Sequence, residues 1–240
     1  MSPRPNQQLP LFIILVLMSI AIPASLESAA APEPERAEYA VRWNIQDGGP
    51  KLAEQVLAIL KRTPANSEQY NVEYFDLPSA ASTPDDFLLI LRRQVNSSGR
   101  SELTLKYRGD HPLASWVCPL PKPYRTKTEI DISFTDTDVV NRAYSYSCTA
   151  YVTEPPAELH ALLKGCASVM TRMANDGLTV EEWHLPGDIT LIDVSRQGPN
   201  TKEALAGFRN QVVEKLIQSG IHPIARSKTE LGSRCDTTSG

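Results

Sequence analysis

Five basic residues, Arg42, Arg92, Arg93, Lys106 and Arg108, fall on segments with strand-like patterning. Arg and Lys converging from neighbouring strands can hold a polyanion, and Arg adds bidentate contacts to phosphate. Alternation places Lys106 on one face with Thr104 and Glu102, opposite Leu103 and Leu105. Arg92 and Arg93 are adjacent, so in a regular strand they must point to opposite faces. An acidic pair follows in the segment Thr128 to Phe134, where Glu129 and Asp131 share one face. Carboxylates at i and i+2 can jointly hold Mg2+ or Mn2+, hard ions that prefer oxygen. Each feature also has a plainer reading, as charges on the solvated face of a half-buried strand.

Other chemistry lacks a sequence anchor. His111, His160, His184 and His222 are scattered, and no H-E-x-x-H or catalytic Cys/His pair is present. G-x-S-x-G, G-x-x-x-x-G-K-[ST] and G-x-G-x-x-G are all missing, which removes the serine-hydrolase, P-loop and Rossmann readings. Trp43, Trp116 and Trp183 could stack on a sugar or base, but packing explains them equally well. Composition is that of a globular chain: 240 residues, 41% hydrophobic, 22% charged, with 19 Pro against 12 Gly. Collagen, low-complexity polymers and polytopic membrane proteins are excluded. A formal charge of −4 argues against a general nucleic-acid partner, which would call for a basic excess.

The elements that must position these residues follow from periodicity. Leu11 to Ile22 is an apolar run behind Arg4, with small residues at Ser28 to Ala31. It is shorter than the roughly 20 residues a spanning helix needs, and it reads as a cleaved signal peptide over 1–31. Export to the periplasm or the cell exterior follows, with no membrane association after cleavage. A Pro-containing linker occupies 32–37, a single domain 38–231 and a tail 232–240. In an oxidising compartment Cys118, Cys148, Cys166 and Cys235 predict two disulfides among three connectivities. The preferred pairs are Cys118–Cys148 and Cys166–Cys235, the second tying the tail to a helix.

Strands are expected at Glu38–Ile45, Tyr70–Leu77, Phe87–Val95, Glu102–Arg108, Thr128–Phe134, Tyr144–Val152, Val180–Leu185 and Ile189–Val194. Asn96 to Gly99 marks a hairpin turn, and Pro186-Gly187 another. One helix opens at Pro50, with Leu52, Val56, Ile59 and Leu60 on one face. A second is predicted from Leu159, Leu162, Leu163, Cys166, Val169, Met170 and Met173, which recur at helical spacing. A third runs from about Thr201 to Gln218, with Leu205, Phe208, Val212 and Leu216 aligned and Gly220 as its stop. The fold class is α+β with a largely antiparallel, curved or closed sheet.

The order of these segments resembles the CYTH superfamily, the triphosphate tunnel proteins related to class IV adenylate cyclase and thiamine triphosphatase. Glu38-Tyr39-Ala40-Val41-Arg42 resembles its opening E-x-E-x-K strand, and Tyr74 to Pro78 its Y-Y-D-T-P segment. Leu91-Arg92-Arg93 is similar to L-R-x-R, Leu103-Thr104-Leu105-Lys106 to L-T-L-K, and Glu129-Ile130-Asp131 to the acidic strand that follows. Ile192-Asp193-Val194 and the Ala225 to Lys228 tail complete the order. The resemblance implies an antiparallel β-barrel tunnel with flanking amphipathic helices. It implies Arg42, Arg92, Arg93 and Lys106 as phosphate ligands. Glu38, Glu129, Asp131 and Asp193 would hold Mg2+ or Mn2+, with Glu129 and Asp131 in the catalytic role. The ligand is then inorganic triphosphate, a triphosphorylated organic anion, or another polyphosphate-type or small anion, bound and hydrolysed with the metal's help. Ala40 and Ser195 stand where further carboxylates are expected, and Arg42 where Lys is. Those departures leave an alternative: a non-enzymatic ligand- or protein-binding module on the same barrel.

Overall fold

Alternating polar and apolar residues make a chain of strands, and the computed structural model joins them into one closed sheet. It describes residues 32–64, 66–75, 88–113, 115–152 and 163–232. The strands are β1 (Arg36–Asn44), β2 (Asn66–Phe75), β3 (Leu88–Asn96), β4 (Ser101–Gly109), β5 (Tyr124–Phe134), β6 (Val140–Tyr151), β7 (Leu163–Asn175), β8 (Leu178–Leu185) and β9 (Ile189–Pro199). Around the barrel they run β1-β5-β6-β4-β3-β2-β7-β8-β9. Every neighbouring pair is antiparallel except β1–β5, which is parallel. Closure leaves no strand edge unpaired. The expected α+β barrel is therefore present, in mixed rather than purely antiparallel form.

The apolar core lies outside the barrel wall. Tyr39, Val41 and Trp43 of β1, Ile130, Ile132 and Phe134 of β5, and Ile192 and Val194 of β9 turn outward. They are covered by α1 (Ala53–Ile59) and by a helix near the C-terminus. That helix runs as α2 (Lys202–Phe208), a π-helical stretch (Arg209–Val213) and α3 (Glu214–Gln218). Thr201 caps it by accepting from the Ala204 N–H at 3.2 Å, and it buries Phe208, Val212, Val213 and Leu216. In α1 the buried side chains are Ala53, Val56 and Leu57, with Leu60 beyond its end, while Leu52 is exposed.

A second apolar cluster sits inside one end of the barrel, where Tyr74, Ile90, Met170, Trp183 and Leu185 meet Ile224 and Leu231. The short helix α4 (Lys228–Gly232) closes over it. A Cβ on Gly232 would lie 3.0 Å from the Tyr74 ring and 3.3 Å from Leu185, so a larger residue there would push these side chains back. A third cluster covers β3, β4 and β6, and the disulfide Cys118–Cys148 clamps the loop beside Trp116 to β6. The preferred first pairing therefore forms. The side chain of Cys166, and Cys235, lie outside the described residues, as do the apolar run Leu11 to Ile22, Asp76 to Pro78 and residues 233–240.

One expected helix is corrected. From Leu163 onward the segment read as helical is β7, paired with β2 and β8. A barrel wall buries both of its faces. Met170 packs into the internal cluster and Met173 into the outer one, so apolar residues three apart mimic a helical stripe. Among the described residues no helix is long and apolar enough to cross a membrane.

Candidate functional site: a charged tunnel

Strand parity that sends apolar side chains outward sends charged ones in. β1 contributes Glu38, Ala40 and Arg42, and β3 contributes Arg92 to a cavity of about 220 Å3. Thr104, Lys106 and Arg108 enter it from β4, Asp131 and Ser133 from β5, Arg172 from β7, Glu181 from β8, and Asp193 and Gln197 from β9. Lys228 of α4 reaches in from the closed end. A second chamber of about 440 Å3 adjoins it, sharing Glu38, Arg92, Thr104, Lys106, Arg172 and Gln197 and adding Arg36, Arg125, Lys127 and Glu129. Together they form a charged tunnel.

At the closed end two carboxylates are saturated by cations. Asp193, 1% exposed, accepts from Arg42 Nε at 2.7 Å and from Lys228 Nζ at 3.1 Å. Glu181, 4% exposed, accepts from Arg172 Nε at 2.9 Å, from Trp183 Nε1 at 2.9 Å and from Lys228 Nζ. Burial alone would raise both carboxyl pKa values, but the cations outweigh it and hold both below the usual range. Burial works against the Lys228 ammonium as well, yet Asp193 and Glu181 raise its pKa.

Nearer the wide chamber the carboxylates are under-satisfied. Oxygens of Glu38, Glu129 and Asp131 lie within 4.8 Å of one another. Asp131 Oδ2 takes Lys106 at 2.9 Å and Arg108 Nε at 2.8 Å, while Oδ1 is buried without a partner. Glu129, 2% exposed, pairs with Lys127 through Oε1 at 2.6 Å, and its Oε2 is also unpartnered. Burial first, and then the Glu38 carboxylate, push the Glu129 pKa up to about 7, against the pull of Lys127. Asp131 is held low despite its burial, by Lys106 and Arg108. Burial in turn depresses Lys106 further than Asp131 restores it. Buried oxygen donors without hydrogen-bond partners, gathered around a carboxylate of raised pKa, fit a hard divalent cation.

The expected site residues divide accordingly. Arg42, Arg92 and Lys106 all face the tunnel, and Arg92 Nε is buried there without a partner. Arg93 does not: it lies on the outer face, donating to Glu73 at 3.1 Å and to Ser101 at 3.1 Å. Glu38, Glu129 and Asp131 come together. Asp193 faces the same tunnel but belongs to the saturated cluster. Ala40 and Ser195 are directly opposite in the β1–β9 register, with Ser133 across from Ala40 on β5, so the two missing carboxylates leave one gap.

Several tunnel residues, among them Arg172, Glu181 and Lys228, escaped the sequence-based site. Arg108, one of the five basic strand residues, was not among the phosphate ligands that the resemblance implied, although it shares the parity of Lys106. Arg172 lay hidden in the presumed helix, and with it the β7–β8 register that sets it opposite Glu181. Lys228 belongs to the tail segment of the resemblance, but no local pattern points its side chain inward.

No protein-family model and no curated protein matches the chain. Solved structures do show likeness. The PH1819 protein of Pyrococcus horikoshii OT3 is 16% identical at a TM-score of 0.47, covering 81% of this chain and 97% of its own. A candidate adenylate cyclase of Vibrio parahaemolyticus is 14% identical at a TM-score of 0.45, covering 82% and 98%. HpAC1 of Hippeastrum, a candidate adenylyl cyclase with a dominant triphosphatase activity, is 13% identical at a TM-score of 0.46, covering 81% and 93%. What this chain itself displays is a closed barrel with a cation-rich tunnel and one under-satisfied carboxylate cluster at its middle.

Proposed function

We propose that the tunnel binds a triphosphate-type anion and, with Mg2+ or Mn2+, hydrolyses its terminal phosphoanhydride. The observation that carries this is the convergence of Arg42, Arg92, Lys106, Arg108 and Arg172 on one enclosed cavity beside three clustered carboxylates. Arg42, Arg92 and Lys106 contact phosphate oxygens, with Arg108 and Arg172 flanking them. Glu38, Glu129 and Asp131 are the residues that would hold the metal, which would neutralise charge developing on the phosphate. Glu129, whose Oε2 is buried without a partner, and Asp131 would orient the attacking water. The apolar run Leu11 to Ile22 and the Cys118–Cys148 bridge support an exported protein in an oxidising compartment.

Ala40 and Ser195 favour a second reading, in which the tunnel binds the anion without turning it over. Calorimetric titration of the oxidised protein with tripolyphosphate, with and without Mn2+, separates the two. Sustained metal-dependent heat supports hydrolysis, a saturating isotherm without turnover supports binding alone, and no heat overturns both. Lys106→Ala and Arg42→Ala should each lower the affinity at least tenfold, about 1.4 kcal/mol. Unchanged affinity in both would remove the tunnel from the binding site.

A further inference from the structure

We propose that the Cys118–Cys148 disulfide is a positioning device for the tunnel. It sets the strand that carries Lys106 and Arg108 against the strand that carries Glu129 and Asp131. The proposal rests on the reading that the tunnel binds a triphosphate-type anion. β4 and β5 are consecutive in the chain but not neighbours in the barrel, because β6 lies between them. Both run antiparallel to β6, and hence parallel to each other, so residues 110–123 must cross over β6 to join them. Such crossings are usually helical, but among the described residues this one carries no helix or strand. Cys118 lies within it and is bonded to Cys148 of β6.

The register shows what the bond holds. On β6, Ser145 stands opposite Arg108 on one side and Glu129 on the other, and Ser147 opposite Lys106 and Lys127. These rows bring Lys106 and Arg108 Nε to Asp131 Oδ2, at 2.9 Å and 2.8 Å. Cys148 is the residue after Ser147 and is paired with Leu105. Its side chain is fully buried in the outer apolar cluster with Leu103 and Leu105, whose neighbours Thr104 and Lys106 line the tunnel. The bond therefore lies directly behind the cations. Two further contacts of the crossing converge on the same strands. The Leu113 N–H donates to Tyr146 Oη at 3.0 Å, and Trp116 packs against Tyr107 and Tyr146.

Both sulfurs are shielded, with Cys118 only 8% exposed, so the bond belongs to maturation and is not a reversible switch in the folded protein. Its formation takes two protons and two electrons from the thiols, and an exchanging disulfide of a thiol oxidant accepts them as it opens to a dithiol. Until then the crossing is free to shift, and a displacement of about 1 Å between reacting groups can cost about 100-fold. The same chain kept reduced holds a looser tunnel with a weaker grip on its anion.

The test is the double variant Cys118→Ala/Cys148→Val in the full chain, which keeps apolar side chains and removes the link. Its affinity for tripolyphosphate, read by calorimetry, should fall about tenfold or more, as when a partner that orients a ligand from behind is lost. Amide hydrogen exchange should quicken in β5 and β6 while β8 and β9 keep the protection of the parent. Leu57→Ala, a cavity under α1 away from the crossing, lowers stability and should leave the affinity unchanged. Parental affinity in the double variant, unchanged exchange in β5 and β6, an equal loss of affinity in Leu57→Ala, or failure of the double variant to fold would each overturn the positioning role. Failure of the oxidised parent to bind tripolyphosphate would overturn the underlying reading, and this proposal with it.

Discussion

The two carboxylate clusters of the tunnel are built from the same residue types and differ in how fully their oxygens are partnered. Glu181 and Asp193 meet three cations, Arg42, Arg172 and Lys228, and their pKa values are held low. Glu38, Glu129 and Asp131 crowd one another, keep two buried oxygens unpartnered, and leave Glu129 titrating at about 7. In the first cluster three cations face two carboxylates, and the Lys228 ammonium occupies the place between them that a metal would otherwise suit. In the second, Lys106, Arg108 and Lys127 equal the three carboxylates in number yet leave Glu129 Oε2 and Asp131 Oδ1 without partners. The difference teaches that acidic residues in a channel indicate a metal site only after their protein cations have been assigned.

The largest effect should come from breaking the saturated cluster. Asp193→Ala leaves Arg42 and Lys228 buried with a lost partner and is expected to cost about 3–5 kcal/mol in urea unfolding. A loss below about 1 kcal/mol would mean that the cluster is not structural. The matching change in the other cluster, Glu129→Gln, removes a charge the fold holds at a disadvantage, so stability at pH 8 should stay level or rise.

Metal affinity sharpens the contrast. Glu129→Gln is expected to weaken Mn2+ binding at least tenfold, about 1.4 kcal/mol, whereas Glu181→Gln should change it far less. Titration followed by electron paramagnetic resonance would show it, and equal losses would erase the distinction between the clusters.

The smallest effect is in pH dependence, where the clusters should pull in opposite directions. The folded-state pKa of Glu129 is raised above its unfolded value, so its contribution is greatest below about 4.5 and is lost as pH rises through about 7. Glu181 is depressed, so its contribution is present above about 4.5 and is lost as pH falls below it. Unfolding midpoints between pH 4 and 8 should therefore rise at the alkaline end in Glu129→Gln relative to the parent. In Glu181→Gln the deficit should be smallest in acid. Parallel curves for all three proteins would contradict the assignment.

Much of the barrel was legible because most strands alternate cleanly. Thr128 to Phe134 and Leu103 to Lys106 each put charge on one face and aliphatic groups on the other, and both enter the wall as their pattern requires. Parity alone separates Arg92 from Arg93, one facing the tunnel and the other the outer surface. β7 was not legible, since Met170 and Met173 bury on opposite sides of a wall covered on both faces. The division of carboxylates into two clusters was likewise out of reach. It depends on where Lys228 returns to the barrel, 35 residues after Asp193 and 47 after Glu181. Long-range closure of that kind leaves no periodic trace in the chain.

Because β1 is the seam of the barrel, the order of synthesis matters. Its Arg42 meets Asp193 across 151 residues, and its other neighbour, β5, runs parallel to it. Neither partner exists when β1 leaves the ribosome, so high contact order makes closure a late step, and a nascent chain lacking β9 has no sealed wall. Glu38, Ala40 and Arg42 stay solvated until then. A polypeptide that cannot close early keeps its future tunnel lining open to solvent until the last strand has been made.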